Sequence, residues 1–336
     1  MDEFDYQVKY YKAIVLILYK SFDESKALFG EIVANKSLTQ KLISNAQKFL
    51  DKFETFSYFK ESNPLYLETL LAKAMTETGE YGSAIPILFD VITQKNNYRD
   101  AWLILGYAYL NTGSYPDAID SLNKAETLDP QKSETLFYLG LAYFADNNIE
   151  KAIYYLDKSD KKGFQLKDQI NLKLGELYTI KGEYDTAAKK YEKVIAVNTS
   201  NIEVFIKLVE LYIDKLNQPE KALTVSEKTI ETFSDNAMSY NLKGWALTAL
   251  GRYTEAKEYL YKALEIDKSS SSTNLNIGWL YEKQGLTDLA KDYYKKAYIL
   301  GENTSEGSIA LNRLNNLNKP TEVEKTQYSN YDISKP

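Results

Sequence analysis

A period of about 34 residues runs through most of this sequence and constrains its fold more than any other feature. Ala72 and Val209 fall in register with five glycines, whose successive spacings are 34, 35, 69 and 34 residues: Gly106, Gly140, Gly175, Gly244 and Gly278. Internal repeats of this length indicate an array of similar structural units. The period predicts seven units, at 65–98, 99–132, 133–167, 168–201, 202–236, 237–270 and 271–304.

Each unit carries the same small and aromatic residues at the same positions, counted from its first residue. Position 20 is alanine in all seven units, if one extra residue is placed near Asn217–Pro219: Ala84, Ala118, Ala152, Ala187, Ala222, Ala256 and Ala290. Position 11 is tyrosine in five units, and position 15 is glycine or asparagine in six. Positions 4, 7, 8 and 11 share one helical face, and positions 20, 24 and 27 share a face of a second helix. We therefore expect helical hairpins that cover one another's apolar faces in an α-solenoid.

This pattern resembles the tetratricopeptide repeat family. Unit 99–132 matches the family's signature at seven positions: Trp102, Leu105, Gly106, Tyr109, Ala118, Ala125 and Pro130. The resemblance covers residues 65–304, and it departs from the family's pattern at Ala72 and Val209, where the family has glycine. It implies an all-α protein, a right-handed superhelical solenoid of helix hairpins.

The segments on either side of the array fit the repeat loosely. Residues 1–64 are predicted to form an N-terminal helical cap with a degenerate repeat that begins at Val8. In that register, five residues occupy packing positions: Tyr11, Val15, Leu18, Ala27 and Ala34. We expect residues 305–317 to form a C-terminal capping helix. Residues 318–336 are polar and show no apolar period, so a disordered tail is predicted.

The composition removes most catalytic chemistry. The chain has no cysteine and no histidine, so it lacks a thiolate nucleophile, the usual general base and the commonest transition-metal ligand. Neither standard glycine-rich phosphate motif is present. We predict no catalytic residue, no metal site, no cofactor and no enzymatic activity. Nucleic acid is an unfavourable partner, because 41 Lys and Arg stand against 47 Asp and Glu and the net charge is −6.

The family resemblance also implies where a partner binds. In that family, the first helices of the units line a concave surface, mainly through positions 2, 5, 9 and 12. Those positions suggest an apolar, aromatic groove toward residues 100–145, which two tryptophans continue. The candidate partner-binding residues are Leu103, Tyr107, Leu110, Phe137, Tyr138, Phe144, Trp245 and Trp279. The alternative is that these side chains pack against adjacent helices.

Some members of the family hold an acidic C-terminus with lysine, asparagine and arginine side chains on this surface. No consecutive units of this chain supply that set, so such a ligand is disfavoured. The preferred hypothesis is a non-catalytic scaffold whose groove binds a peptide or helix of another protein. Two alternatives stay open: a self-assembling homo-oligomer, and the repeat portion of a larger envelope, secretion or glycosyltransferase-type protein.

The sequence also bears on location. Its acidic start lacks the basic region of a signal peptide, and the longest strongly apolar run, residues 13–19, is too short to span a bilayer. No direct membrane span is therefore predicted. We expect a cytoplasmic protein, or a periplasmic or envelope-associated one if Met1 begins a truncated chain.

Overall fold

The computed structural model describes residues 3–58 and 63–318, which contain eighteen α-helices and no strand. The predicted all-α class is confirmed. The chain divides into two compact units, Met1–Ile170 and Asn171–Pro336. Among the described helices, none combines the length and apolarity that a membrane crossing requires. Most of the predicted tail, from residue 319 onward, lies outside the described residues.

The first unit consists of helices that contact one another in sequence order. They are α1 (Glu3–Leu18), α2 (Phe22–Ala34), α3 (Gln40–Tyr58), α4 (Pro64–Thr78), α5 (Tyr81–Gln94), α6 (Arg99–Asn111), α7 (Tyr115–Leu128), α8 (Ser133–Ala145) and α9 (Ile149–Lys161). The next helix, α10 (Lys167–Ile180), crosses into the second unit. Within the first unit, α4 contacts α6 and α6 contacts α8, so the first helices of successive hairpins lie side by side.

The second unit continues the alternation of first and second helices. It contains α11 (Tyr184–Val197), α12 (Ile202–Glu210), α13 (Pro219–Thr232), α14 (Ala237–Ala249), α15 (Tyr253–Ile266), α16 (Ser271–Lys283), α17 (Thr287–Leu300) and α18 (Ser305–Leu317). Within this unit, α14 contacts both α12 and α16, and α16 contacts α18. The helix bounds from α4 to α17 fit the seven predicted hairpins.

One residue between the two helices of each hairpin has left-handed backbone, with φ between 50° and 89°. The residues are Gly79, Gly113, Asn147, Gly182, Asn217, Gly251 and Gly285. Glycine adopts this conformation without a steric cost, and asparagine tolerates it better than most residues. Six of these are the position-15 residues that the sequence predicts, and Asn217 is the seventh.

The glycine at position 8 lets the two helices of a hairpin approach closely. A Cβ atom on Gly278 would lie 2.6 Å from the ring of Tyr294, which is far inside van der Waals contact. In the α12–α13 hairpin, the equivalent positions hold Val209 and Ser226, and both are fully buried. In this hairpin the larger side chain, Val209, lies on the first helix, and the smaller one, Ser226, lies on the second. The exchange keeps the packed volume similar without a glycine.

The extra residue of unit 202–236 lies in a π turn, Leu211–Lys215, and not near Asn217–Pro219 as the sequence predicts. The amide of Leu216 donates to the carbonyl of Leu211, five residues earlier, at 2.9 Å. A π turn inserts one residue without ending the helix, so the side chains that follow move by one position.

The register predicted for the degenerate N-terminal repeat is wrong by two residues. The residues predicted to pack are all exposed: Tyr11, Val15, Leu18, Ala27 and Ala34. Instead, Ala13 and Ser25 are fully buried, and the Ser25 hydroxyl donates to the Ala13 carbonyl at 2.9 Å. These two residues occupy positions 8 and 20 of a hairpin that begins at Tyr6. The sequence pattern misled because α1 carries two apolar faces, of which only one is buried.

Candidate partner-binding site

A cavity of about 520 Å³ opens along α4, α6 and α8 of the first unit, and we call it the tyrosine cavity. Four tyrosines line it: Tyr66, Tyr98, Tyr107 and Tyr138. Leu103 and Tyr107, at positions 5 and 9 of their unit, lie on its wall. The structure therefore brings Leu103, Tyr107 and Tyr138 together.

The rings of the tyrosine cavity hold one another in place. The ring centroids of Tyr107 and Tyr138 lie 4.8 Å apart, and Tyr81 meets the Tyr107 ring edge-on at 5.8 Å. Burial, assisted by the neighbouring Tyr81 hydroxyl, raises the pKa of Tyr107 to about 12. Burial also raises the pKa of Tyr138. Both hydroxyls therefore stay protonated near neutral pH, where each can donate and accept a hydrogen bond.

The charges around the tyrosine cavity are balanced. Its lining includes three cationic and three anionic side chains: Lys73, Arg99, Lys132, Glu77, Asp100 and Glu134. Arg99 forms an ion pair with Asp100. A second guanidinium nitrogen of Arg99, Nη1, is buried and has no hydrogen-bond partner in the described part of the chain. The wall thus offers rings, hydroxyls and both signs of charge, which suits a polypeptide segment of mixed composition.

Three candidate residues of the first unit do not line the tyrosine cavity. Phe137 is only 4% exposed and stacks on Phe164, with 4.7 Å between ring centroids, so it is a packing residue here. Leu110 and Phe144 are half-buried and line neither this cavity nor the one described next. For Phe137, the alternative of packing within the fold is the correct one.

A second cavity, of about 230 Å³, lies within the second unit, and we call it the tryptophan cavity. The candidate residues Trp245 and Trp279, both at position 9, line it on α14 and α16. Its lining also includes Asn241 and Asn276, which are both buried. The Asn276 side chain donates from Nδ2 to Oδ1 of Asn241 at 3.0 Å and ties α16 to α14.

Three carboxylates and one guanidinium complete the tryptophan cavity: Glu210, Asp214, Glu306 and Arg313. Glu210 and Asp214 are both exposed to solvent, but the protein around them removes part of their hydration. This partial desolvation raises the pKa of Glu210, and the nearby Asp214 carboxylate raises it further. Partial desolvation likewise raises the pKa of Asp214, against the opposing effects of Lys215 and Arg313. Burial acts to raise the pKa of Glu306 as well, but hydrogen bonds from its backbone amide, Ser305 and Thr304 lower it overall. The ionised forms of Glu210 and Asp214 are therefore disfavoured, whereas hydrogen bonds stabilise the ionised form of Glu306.

Comparison with known families identifies the hairpins. A family model described as TPR repeat matches residues 106–147, and one described as tetratricopeptide repeat matches 237–270 and 271–298. This chain carries tetratricopeptide repeats. The matched segments overlap the predicted units 99–132, 133–167, 237–270 and 271–304. A search of curated proteins finds no match.

One solved structure resembles the chain in fold, and two others match it at lower TM-scores. The C-terminal part of a TPR repeat-containing protein from Cytophaga hutchinsonii is 19% identical, with a TM-score of 0.57, over 72% of this chain and 99% of that one. A tetratricopeptide repeat protein from Parabacteroides merdae is 14% identical, with a TM-score of 0.47, over 81% and 99%. A thermophilic TPR protein from Thermus thermophilus is 16% identical, with a TM-score of 0.40, over 62% and 99%.

The sequence of these tetratricopeptide repeats does not reveal every residue of the tryptophan cavity. Asp214 lines it because the π turn moves this side chain into the groove position that the simple count gives to Ile213. Ile213 instead packs against the core of the second unit. Glu306 and Arg313 come from the capping helix α18, for which the sequence predicts only a structural role. The one-residue excess of unit 202–236 was the only signal available for Asp214.

Proposed function

We propose that this chain is a non-catalytic scaffold that binds a segment of a partner protein against the first helices of its repeats. The observation that carries the proposal is the tyrosine cavity, which α4, α6 and α8 line together. Its volume of about 520 Å³ falls within the usual range for ligand sites, roughly 300–1,000 Å³. Tyrosine gives a large rigid contact area together with a hydrogen-bonding hydroxyl, which is why it is enriched in binding surfaces.

Selection from a library of random short peptides tests this proposal on the intact chain. Peptides that bind the chain should bind the double variant Tyr107→Ala/Tyr138→Ala at least about tenfold more weakly, because two interacting rings are removed from the wall. The matched control is Tyr154→Ala/Tyr298→Ala, whose rings are exposed on second helices outside the cavity. If no peptide is selected, or if the two double variants bind equally well, the proposal fails.

A second candidate function, self-association, is favoured by one surface of α1. Five apolar residues form an exposed stripe at helical spacing on this helix: Phe4, Val8, Tyr11, Val15 and Leu18. A second copy of the chain offers the same stripe, so a two-fold contact between two α1 helices is self-complementary. In an antiparallel pairing centred on Tyr11, Phe4 of one copy meets Leu18 of the other.

Light scattering over a range of protein concentrations tests self-association. The chain should dimerise as its concentration rises, and Val8→Lys/Val15→Lys should abolish the dimer without loss of helical circular dichroism, since both side chains are exposed. A monomer at every concentration would exclude this candidate.

A further inference from the structure

The tryptophan cavity differs from the tyrosine cavity in size and in the chemistry of its walls. Its volume of about 230 Å³ lies below the usual range for drug-sized ligands, so it suits one long side chain better than a folded segment. Two indoles stand on adjacent first helices, at Trp245 of α14 and Trp279 of α16. The electron-rich face of an indole attracts a cation, and tryptophan does so best among the aromatic residues. The Nζ of Lys283 already lies 5.4 Å from the Trp279 ring centroid.

The charge of the lining points to the same chemistry. Glu210, Asp214 and Glu306 outnumber the single guanidinium of Arg313. Moreover, Arg313 is already engaged, because its Nη1 lies 3.2 Å from the carboxylate of Glu282. Among the side chains that line the cavity, negative charge is therefore in excess, although Lys207 and Lys215 act on Glu210 from outside the lining. An anionic ligand would be repelled, and an apolar ligand would displace water from the carboxylates without replacing its hydrogen bonds.

The π turn is a third, independent feature of the site. It is the departure from regular helix that brings Asp214 to the cavity, one turn beyond Glu210. Insertions of this kind occur frequently at functional sites. The turn interrupts the regular backbone hydrogen bonds of the helix. Its consequence is that the Asp214 carboxylate, as well as that of Glu210, lines the cavity.

We propose that the tryptophan cavity binds a cationic side chain of the partner segment, with arginine preferred over lysine. This inference rests on the proposed function and specifies what a peptide must carry to occupy the second unit. Arginine fits best because its planar guanidinium stacks on aromatic rings and pairs with carboxylates through two parallel hydrogen bonds. The buried Asn241–Asn276 pair fixes the spacing of the two helices that present the indoles.

A pair of matched peptides tests the proposal directly. The first is a capped alanine pentapeptide with a central arginine, and the second replaces arginine by citrulline, which keeps the shape and removes the charge. The chain has three tryptophans, and the protein used in this test carries Trp102→Phe. Its tryptophan fluorescence then arises from Trp245 and Trp279 alone. The arginine peptide should change this fluorescence with an affinity on the order of tenfold higher than that of the citrulline peptide.

Two charge variants separate a local site from general attraction to an acidic protein. Glu210→Gln/Asp214→Asn preserves the side-chain shapes and should remove the preference for arginine. Glu231→Gln/Asp235→Asn removes the same charge from exposed positions that do not line the cavity, and it should keep the preference. Circular dichroism checks that both variants are folded.

Three outcomes would overturn the proposal: equal affinity for the two peptides, no fluorescence change at millimolar peptide, or an equal loss in both charge variants. None of these outcomes touches the proposed function, which is tested separately through Tyr107 and Tyr138 of the first unit. A chain that selects library peptides through those tyrosines and ignores arginine refutes this inference alone.

Discussion

Asn276 donates a hydrogen bond to Asn241 at 3.0 Å, which links the first helices of two successive repeats within the cavity that Trp245 and Trp279 also line. Both side chains are more than nine-tenths buried. Asn241 lies at position 5 of its unit, and Asn276 lies at position 6 of the next unit. The pair shows that part of the first-helix surface holds the repeats together, while its neighbours Trp245 and Trp279 line the cavity.

The first prediction concerns this pair. Either Asn241→Ala or Asn276→Ala should lower the free energy of unfolding by about 1–3 kcal/mol, because each leaves a buried amide without its partner. In the double variant, the loss should be smaller than the sum of the single losses by about 0.5–1.5 kcal/mol. Urea denaturation of the four proteins measures this coupling. Strictly additive losses would contradict the hydrogen bond.

The second prediction concerns the glycine at position 8. Gly278→Ala should destabilise the chain by about 1–3 kcal/mol, because the new Cβ would lie 2.6 Å from the buried ring of Tyr294. Gly82→Ala is the matched control, since Gly82 lies in helix α5 and a Cβ added there would meet no other atom within 4 Å. The control should leave stability unchanged or raise it by up to about 1 kcal/mol. Thermal denaturation distinguishes the two, and an equal effect would refute the packing argument.

The same residues show why the fold could be predicted so far from the sequence. In five units a Cβ atom at position 8 would clash with the Leu or Tyr at position 24, so glycine recurs there and reveals the period. The first unit accommodates Ala72 opposite Leu88 instead. The register of α1 could not be predicted, because its buried and exposed faces are both apolar. In the structure, the Ser25 hydrogen bond to Ala13 and the burial of Tyr10, Ile14 and Ile17 mark the packed face.

The site could be predicted only in part, for two physical reasons. Phe137 occupies a groove position, yet Phe164 from the loop after α9 covers its ring. Asp214 reaches the tryptophan cavity because of a π turn, and no residue type in the sequence requires such a turn. Counting positions along a helix predicts which side chains face the groove only where the helix is regular and no loop covers it.

The third prediction concerns the dependence of stability on pH. Partial desolvation raises the pKa of the exposed Glu210 in the folded chain, with Asp214 and Glu306 adding to the shift and Lys207 and Lys215 opposing it. A carboxyl whose folded pKa is raised destabilises the fold once it ionises. Its unfavourable contribution is absent below the ordinary glutamate pKa and grows as pH rises toward the raised value.

Glu210→Gln removes this titration. The variant should therefore gain stability relative to the natural chain as the pH rises from about 4 to about 7. Urea denaturation at several values between these limits measures the difference. A difference that stays constant with pH, or that shrinks as pH rises, would show that the folded pKa is not raised.

The fourth prediction concerns the π turn. Deleting Lys215 shortens unit 202–236 to the common length of 34 residues and should turn Asp214 away from the tryptophan cavity. The free energy of unfolding should change by less than about 2 kcal/mol, because the other repeats fold without the insertion. Affinity for the arginine peptide should fall to that of the citrulline peptide. Unchanged preference for arginine in a folded deletion variant would contradict the role assigned to the turn.

Site-specific crosslinking tests the central claim, that a partner segment lies against the first helices, most directly. A photoreactive phenylalanine analogue is placed at Tyr107 in one protein and at the exposed Tyr154 of α9 in another, and each is irradiated with a peptide selected by the natural chain. The account predicts that the peptide is attached from position 107 and not from position 154. Attachment from position 154 with none from position 107 would place the binding surface on the second helices and contradict the account.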